Sequence, residues 1–108
     1  MLLKNGKFED AASRAYYSAF HAAQAVLLTE GLTATTHRGL LNLFGLHFTK
    51  TNKINAKFGK LLSNLKDDRE HSDYEIYSFI DEETAKNAVQ EARLFHQEMK
   101  TFLKQYLS

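Results

Sequence analysis

The sequence contains no cysteine, no proline and no tryptophan among its 108 residues, and only five glycines. Each absence excludes something. Without cysteine there is no disulfide framework, no thiolate zinc site and no cysteine nucleophile. No apolar run reaches the ~18 residues that a transmembrane helix needs, so no membrane association is expected. Met1-Leu2-Leu3-Lys4 is too short an apolar start for a secretory signal. A reducing compartment is compatible with all of this, and the expectation is a cytoplasmic protein. At average usage a chain of this length would carry about five prolines. Their absence suits long uninterrupted helices joined by short connections. What is present completes the outline. Hydrophobic residues make up 44% of the chain, too many for a disordered tail. The length suits one domain, residues 1–108, with a core of its own.

Four helical segments follow from apolar periodicity. Phe8, Ala12, Ala15, Tyr16, Ala19, Phe20, Ala23, Val26 and Leu27 recur at steps of three and four, which predicts a helix from about Phe8 to Glu30. Gly31 suits the residue just past its end. Thr35 or Thr36 can cap a second helix, from about His37 to Thr49. Leu40, Leu41, Leu43, Phe44, Leu46 and Phe48 leave that helix apolar nearly all round, as expected of an element buried on several sides or at an oligomer interface. Gly39 and Gly45 inside it suggest close helix–helix approach. The third helix runs from about Asn55 to Ser72 on Phe58, Leu61, Leu62 and Leu65. Residues 73–81 read as an aromatic-rich packed loop. Asp81 or an adjacent acid caps the fourth helix, which runs to about Tyr106 on Ala85, Ala88, Val89, Ala92, Phe95, Met99, Phe102 and Leu103. The expected fold is all-α, an antiparallel up-and-down four-helix bundle with room for an extra short helix.

Candidate chemistry falls in three places. Arg14, Tyr17, Ser18 and His21 lie on one face of the first helix, opposite its core stripe. A solvent face is ordinarily rich in Lys and Glu; this one is small, aromatic and hydrogen-bonding. It either packs on another helix or a symmetry mate, or forms a polar cleft where Arg14 binds phosphate and His21 acts as donor or base. The second place is Arg69, His71, Asp73 and Tyr74 at the end of the third helix. Arg69 falls where the apolar stripe should continue and needs a partner, for which Asp73 is suited, with Tyr74 closing over it. The result is a structural polar network or a site for phosphate or RNA backbone. The third is charge segregation. Six basic residues and no acid lie between Gly31 and Lys66, whereas eight acids stand against Arg69 alone between Asp67 and Glu83. The formal net charge of +1 averages these blocks. They pair with each other, or the basic block contacts nucleic acid or an acidic partner. The five histidines form no His-x-x-x-His or Glu-x-x-His pair, and there is no P-loop, GxGxxG or nucleophile elbow. No metal and no cofactor are expected.

The run Ser13-Arg14-Ala15-Tyr16-Tyr17-Ser18-Ala19-Phe20-His21-Ala22-Ala23 resembles the first-helix signature of HEPN-domain proteins, and within them the small stand-alone UPF0332 group. Thr36-His37-Arg38-Gly39-Leu40-Leu41 with Phe44 and Phe48 resembles that group's second helix, and Arg69 with Asp73-Tyr74 its arginine-then-Asp-Tyr element. The resemblance covers roughly Gly6 to Leu103. It implies a four- or five-helix bundle that commonly forms a homodimer. It also implies a minimal nucleotidyltransferase partner in a prokaryotic toxin–antitoxin pair, and either nucleotide binding or metal-independent ribonuclease activity. Arg14, Tyr17, His21, His37, Arg69, Asp73 and Tyr74 are then the candidate nucleotide- or RNA-phosphate-binding residues, and Arg14, His21, Arg69 and His71 the candidate catalytic ones. Active branches carry Arg-x(4–6)-His late in the bundle. Here Arg69 and His71 are one residue apart, about 200° on a helix. Arg14 and His21 have the right spacing but lie in the first helix. Three functions therefore stand: a nucleotide- or RNA-binding module, a metal-independent ribonuclease toxin, and an inactive dimeric interaction scaffold.

Overall fold

A computed structural model describes the backbone of residues 2–74 and 81–108 and the side chains of residues 7–67 and 81–108. Within these it is all-helical: α1 (Leu2–Leu28), α2 (His37–Phe44), a five-residue π-helical turn (Gly45–Thr49) that continues α2, α3 (Ala56–Tyr74) and α4 (Glu82–Leu107). The all-α bundle expected from the sequence is the observed fold.

The ends of the helices follow local chemistry. After α1, Gly31 adopts φ +73° and the Leu32 N–H donates to the Leu27 carbonyl at 3.1 Å, so the chain turns sharply away. Thr36 caps α2, its hydroxyl accepting from the Gly39 N–H at 2.9 Å. Asn55 accepts from the Lys57 N–H at the start of α3, and Asp81 from the Thr84 N–H at 2.8 Å at the start of α4. The starts and ends differ from the periodicity in two places. Helix α1 begins at Leu2 rather than Phe8, since no proline interrupts residues 2–7 and a single Gly6 does not stop a helix of this length. Helix α3 runs on through Asp73 and Tyr74, which the sequence suggested were loop; residues 75–80 lie outside the described residues.

Between α1 and α2 the chain doubles back. The Gln24 side-chain amide clamps this return, donating to the Ala34 carbonyl at 2.6 Å and accepting from the Ala34 N–H at 3.2 Å. Helix α2 therefore starts beside the middle of α1, where His37 meets Tyr16 and Phe20, and climbs in the same sense. A Lys53–Glu30 ion pair at 2.6 Å ties the following turn to the end of α1. From there α3 descends and α4 ascends. Phe8 shares a cavity with Ala85, and the Tyr106 hydroxyl reaches the Thr29 carbonyl, so α1 and α4 run in the same sense and not in the opposed senses of the antiparallel up-and-down order expected from the sequence.

The core is one cluster. Helix α1 contributes Ala12, Ala15, Tyr16, Ala19, Ala23, Val26 and Leu27, and α4 contributes Ala88, Ala92, Phe95 and Met99. Alanines on both sides let α1 and α4 approach closely. Phe58, Leu62 and Leu65 of α3 complete the long seam. Phe44 and Phe48 fill the end, stacking on each other and meeting Phe95 and Phe102. Each large side chain buried here contributes roughly 1.5–3 kcal/mol.

The second helix is less enclosed than its composition suggested. Leu40, Phe44 and Phe48 are buried, whereas Leu46 stands in solvent. The wide turn Gly45–Thr49 closes with the Lys50 N–H donating to the Gly45 carbonyl at 2.8 Å, five residues back. The Thr49 and Thr51 hydroxyls donate to the Gly45 and His47 carbonyls. Gly39 and Gly45 do not mark helix–helix approach. A Cβ on Gly39 would meet the capping Thr36 hydroxyl at 2.9 Å, and one on Gly45 meets nothing closer than 3.9 Å. The glycine at a helix crossing is Gly59, whose Cβ would lie 3.5 Å from the Thr49 methyl.

Candidate functional site

The outward face of α1 predicted from the helical wheel is observed. Arg14, Tyr17, Ser18 and His21 are all exposed, directly opposite the buried stripe. They do not act alone. Tyr16 is only 1% exposed, yet its hydroxyl is hydrogen-bonded to His37 Nδ1 across the return loop. The pair is complementary when the phenol donates and the imidazole carries its proton on Nε2. His37 is the first residue of α2, and its ring lies edge-on to Tyr16 at 5.0 Å and to Phe20 at 5.3 Å. Tyr17 stacks edge-on against Tyr16 at 5.4 Å, and His21 against Phe20 at 5.9 Å. Five flat rings, Tyr16, Tyr17, Phe20, His21 and His37, thus form one patch at the junction of α1 and α2. Its floor is Tyr16 and its exposed members are Tyr17 and His21.

Arg14 stands one turn below this patch. Its Nε is 2.9 Å from Asp10, the neighbour on the preceding turn, and its side chain is 81% exposed. The guanidinium is thereby drawn toward the N-terminal end of α1, away from His21. An exposed pair at this spacing is worth only about 0.3–0.5 kcal/mol, so an anionic ligand can displace Asp10. On its other side Arg14 lines an open groove of about 720 Å³ with Ser18, Arg93, His96 and Gln97. Three cationic or imidazole side chains from α1 and α4 therefore share one concavity.

Of the residues singled out in the sequence, Tyr17, His21 and His37 come together, and Arg14 adjoins them on the same face. Arg69, His71, Asp73 and Tyr74 lie on the last turns of α3, and their side chains fall outside the described residues. Tyr16, Phe20, Arg93 and His96 were missed. Tyr16 carried a signal, because a tyrosine at a core position needs a polar partner for its hydroxyl. Arg93 and His96 carried none that ties them to Arg14, since nothing local sets α4 beside α1. No group of three or more metal-ligating side chains is found among the described residues, nor a helix long and apolar enough to cross a membrane.

A small all-helical bundle with a His- and Tyr-bearing face on its first helix defines a class, and comparison with known sequences identifies it. The sequence model of the HEPN domain matches residues 1–102. The chain belongs to the HEPN domain family. It is 35% identical over 107 residues to a protein of Methanocaldococcus jannaschii that bears the name "Putative toxin", an alignment covering 99% of this chain and 79% of that one. It is 45% identical over 69 residues to a UPF0332 protein of Pyrococcus horikoshii, covering 64% of this chain but only 49% of the relative. A UPF0332 protein of Thermotoga maritima is 35% identical over 95 residues, covering 88% and 72%.

Proposed function

We propose that this chain is a nucleotide- or RNA-phosphate-binding HEPN module of a toxin–antitoxin-type system, acting as a homodimer with a minimal nucleotidyltransferase partner. The observation that carries the reading is the ring patch beside Arg14. Exposed Tyr17 and His21 offer flat faces to a base, and Arg14, held only by an exposed carboxylate, offers a bidentate fork to a phosphate. His37 sets the patch, its Nδ1 engaged by Tyr16. The toxin name carried by the Methanocaldococcus relative supports the setting.

The test is a thermal-shift and titration panel with mono-, di- and triphosphate nucleosides and short single-stranded RNA. A ligand at 100 times its Kd should stabilise the fold by about 2.7 kcal/mol. Arg14→Ala and Tyr17→Ala should each weaken binding with the fold intact. A flat panel with well-folded protein overturns the reading. Metal-independent RNA cleavage is the second reading, favoured by the same relative's name and by an exposed His21 able to transfer a proton. It requires cleavage in EDTA that His21→Ala abolishes. Absence of both activities leaves the dimeric scaffold.

A further inference from the structure

Three shallow cavities follow one another along the outer seam of α1 and α4. The first, about 370 Å³, is lined by Phe8, Ala11, Ala85, Val89 and Arg93 among others. The second, about 720 Å³, shares Ala11, Val89 and Arg93 with it. The third, about 380 Å³, shares His96 with the second and continues through Ala22, Ala25, Met99, Leu103 and Leu107. Together they make one groove along α4, a helix of 26 residues, about 39 Å long. Its floor is methyl groups and aliphatic chains. At its far end Leu107 is 78% exposed and uncovered.

The rim is cationic and one-sided. Lys86, Arg93, Lys100 and Lys104 fall within about 40° on α4; Glu82 shares this band at the first turn and lines the first cavity, whereas Glu91 and Glu98 stand about 120° or more away. Lys86 is paired with Glu82 at 3.1 Å. No ion pair to Arg93, Lys100 or Lys104 is found among the described residues. An apolar floor beneath a band in which, among the described residues, Arg93, Lys100 and Lys104 carry no ion pair is half of a complementary pair.

We propose that this groove is the docking site of an acidic amphipathic helix from another protein. The floor fits small aliphatic side chains at helical spacing, and the band fits Asp or Glu flanking them. A second copy of this chain fits poorly, because a two-fold contact along α4 sets the cation band against itself. A nucleic acid would satisfy the cations but leave the methyl floor without apolar partners. It would also find only Phe8 and His96 as flat rings in these cavities. The inference needs neither His21 nor His37, and its test at Arg93 and Lys100 is separate from the nucleotide- or RNA-binding reading, with which the groove shares Arg14 in its second cavity.

The experiment uses two synthetic helices of about 21 residues with the same leucine and alanine stripe, one flanked by Glu and one by Lys. Fluorescence anisotropy reads their affinity for the whole chain. The Glu helix should bind at least about tenfold tighter than the Lys helix. The double variant Arg93→Glu/Lys100→Glu, confined to exposed positions, should remove that preference, and Ala22→Trp should fill the floor and weaken binding of both. Alanine-methyl spectra should shift at Ala11, Ala22 and Ala25 on addition of the Glu helix while buried Ala19 and Ala23 stay in place. Equal affinity for the two helices, or no binding, overturns the proposal. So does a dimer that becomes a monomer in the double variant, which would make the groove a copy interface. So does single-stranded RNA that binds more tightly than the Glu helix with the same dependence on Arg93 and Lys100.

Discussion

At the scale of single residues, the most consequential atom is the Tyr16 hydroxyl. It belongs to a side chain that packs as core, and it reaches His37 from 21 positions away. Tyr16→Phe keeps the ring and removes the hydrogen bond, leaving the partly buried His37 Nδ1 without that donor. The expected loss is about 1–2 kcal/mol, read as a lower urea midpoint. Phe20→Leu spares the hydroxyl but removes a ring edge-on to His37 at 5.3 Å, so both variants should shift the His37 ring signals in NMR spectra, while only Tyr16→Phe removes the hydrogen bond at Nδ1. Two glycines in and beside α2 make a sharper pair. Gly45→Ala places its Cβ in ordinary space and should stabilise by up to about 1 kcal/mol. Gly39→Ala gains the same propensity but drives its Cβ to 2.9 Å from the capping Thr36 hydroxyl. The cap must shift, which costs about 1 kcal/mol. Thermal unfolding of the two variants should therefore differ in direction or in size, with Gly45→Ala the more stable.

At the scale of elements, the caps were legible before the fold was known. Thr36, Asp81 and Gly31 each act within three or four residues of their own position, so sequence alone carries the information. The outward placement of Tyr17 and His21 was legible for the same reason, since helical periodicity is local. The π turn after Phe44 was not. Phe44 and Phe48 on either side of its start pack against Phe95 and Phe102, contacts that span the chain. Nor was the Tyr16–His37 bond, which depends on a loop that doubles back under the Gln24 clamp. One long-range pair and one local cap also bear on the response to acid. The Lys53 ammonium, through its hydrogen bond and its charge, holds the Glu30 carboxyl below its ordinary value. The Thr84 N–H does the same for the Asp81 cap. A carboxyl depressed in the folded state stabilises fully above its unfolded pKa, and that stability is lost as pH falls through the folded one. Urea midpoints should hold between pH 7 and about 5 and fall below about pH 4. Glu30→Gln combined with Asp81→Asn should flatten that fall; an unchanged acid slope would mean that other carboxylates govern it.

At the scale of the whole molecule, the alanine seam decides how far apart α1 and α4 stand, and hence the shape of the face outside them. Ala19, Ala23 and Ala88 are fully buried, while Ala22 and Ala25 lie a quarter to a third of a turn away and line the open groove. The seam and the groove floor thus use one residue type for opposite purposes: closeness within the bundle, and a shallow surface outside it. Their responses to a larger side chain should separate. Ala88→Leu adds three carbons where there is no room, so α1 and α4 must part or the leucine must leave its preferred rotamer. The expected cost is about 1–3 kcal/mol in urea unfolding, with Tyr16 and Phe95 resonances shifting together because both lie in the same core cluster. Ala25→Leu extends into the groove and should change stability by no more than about 0.5 kcal/mol. It should, however, obstruct whatever docks there, so a variant that folds like the parent and yet loses partner binding would place that binding on the α1–α4 face. If Ala88→Leu were tolerated as well as Ala25→Leu, the two helices would not be held at the spacing the alanines set, and the groove would have no fixed floor to offer.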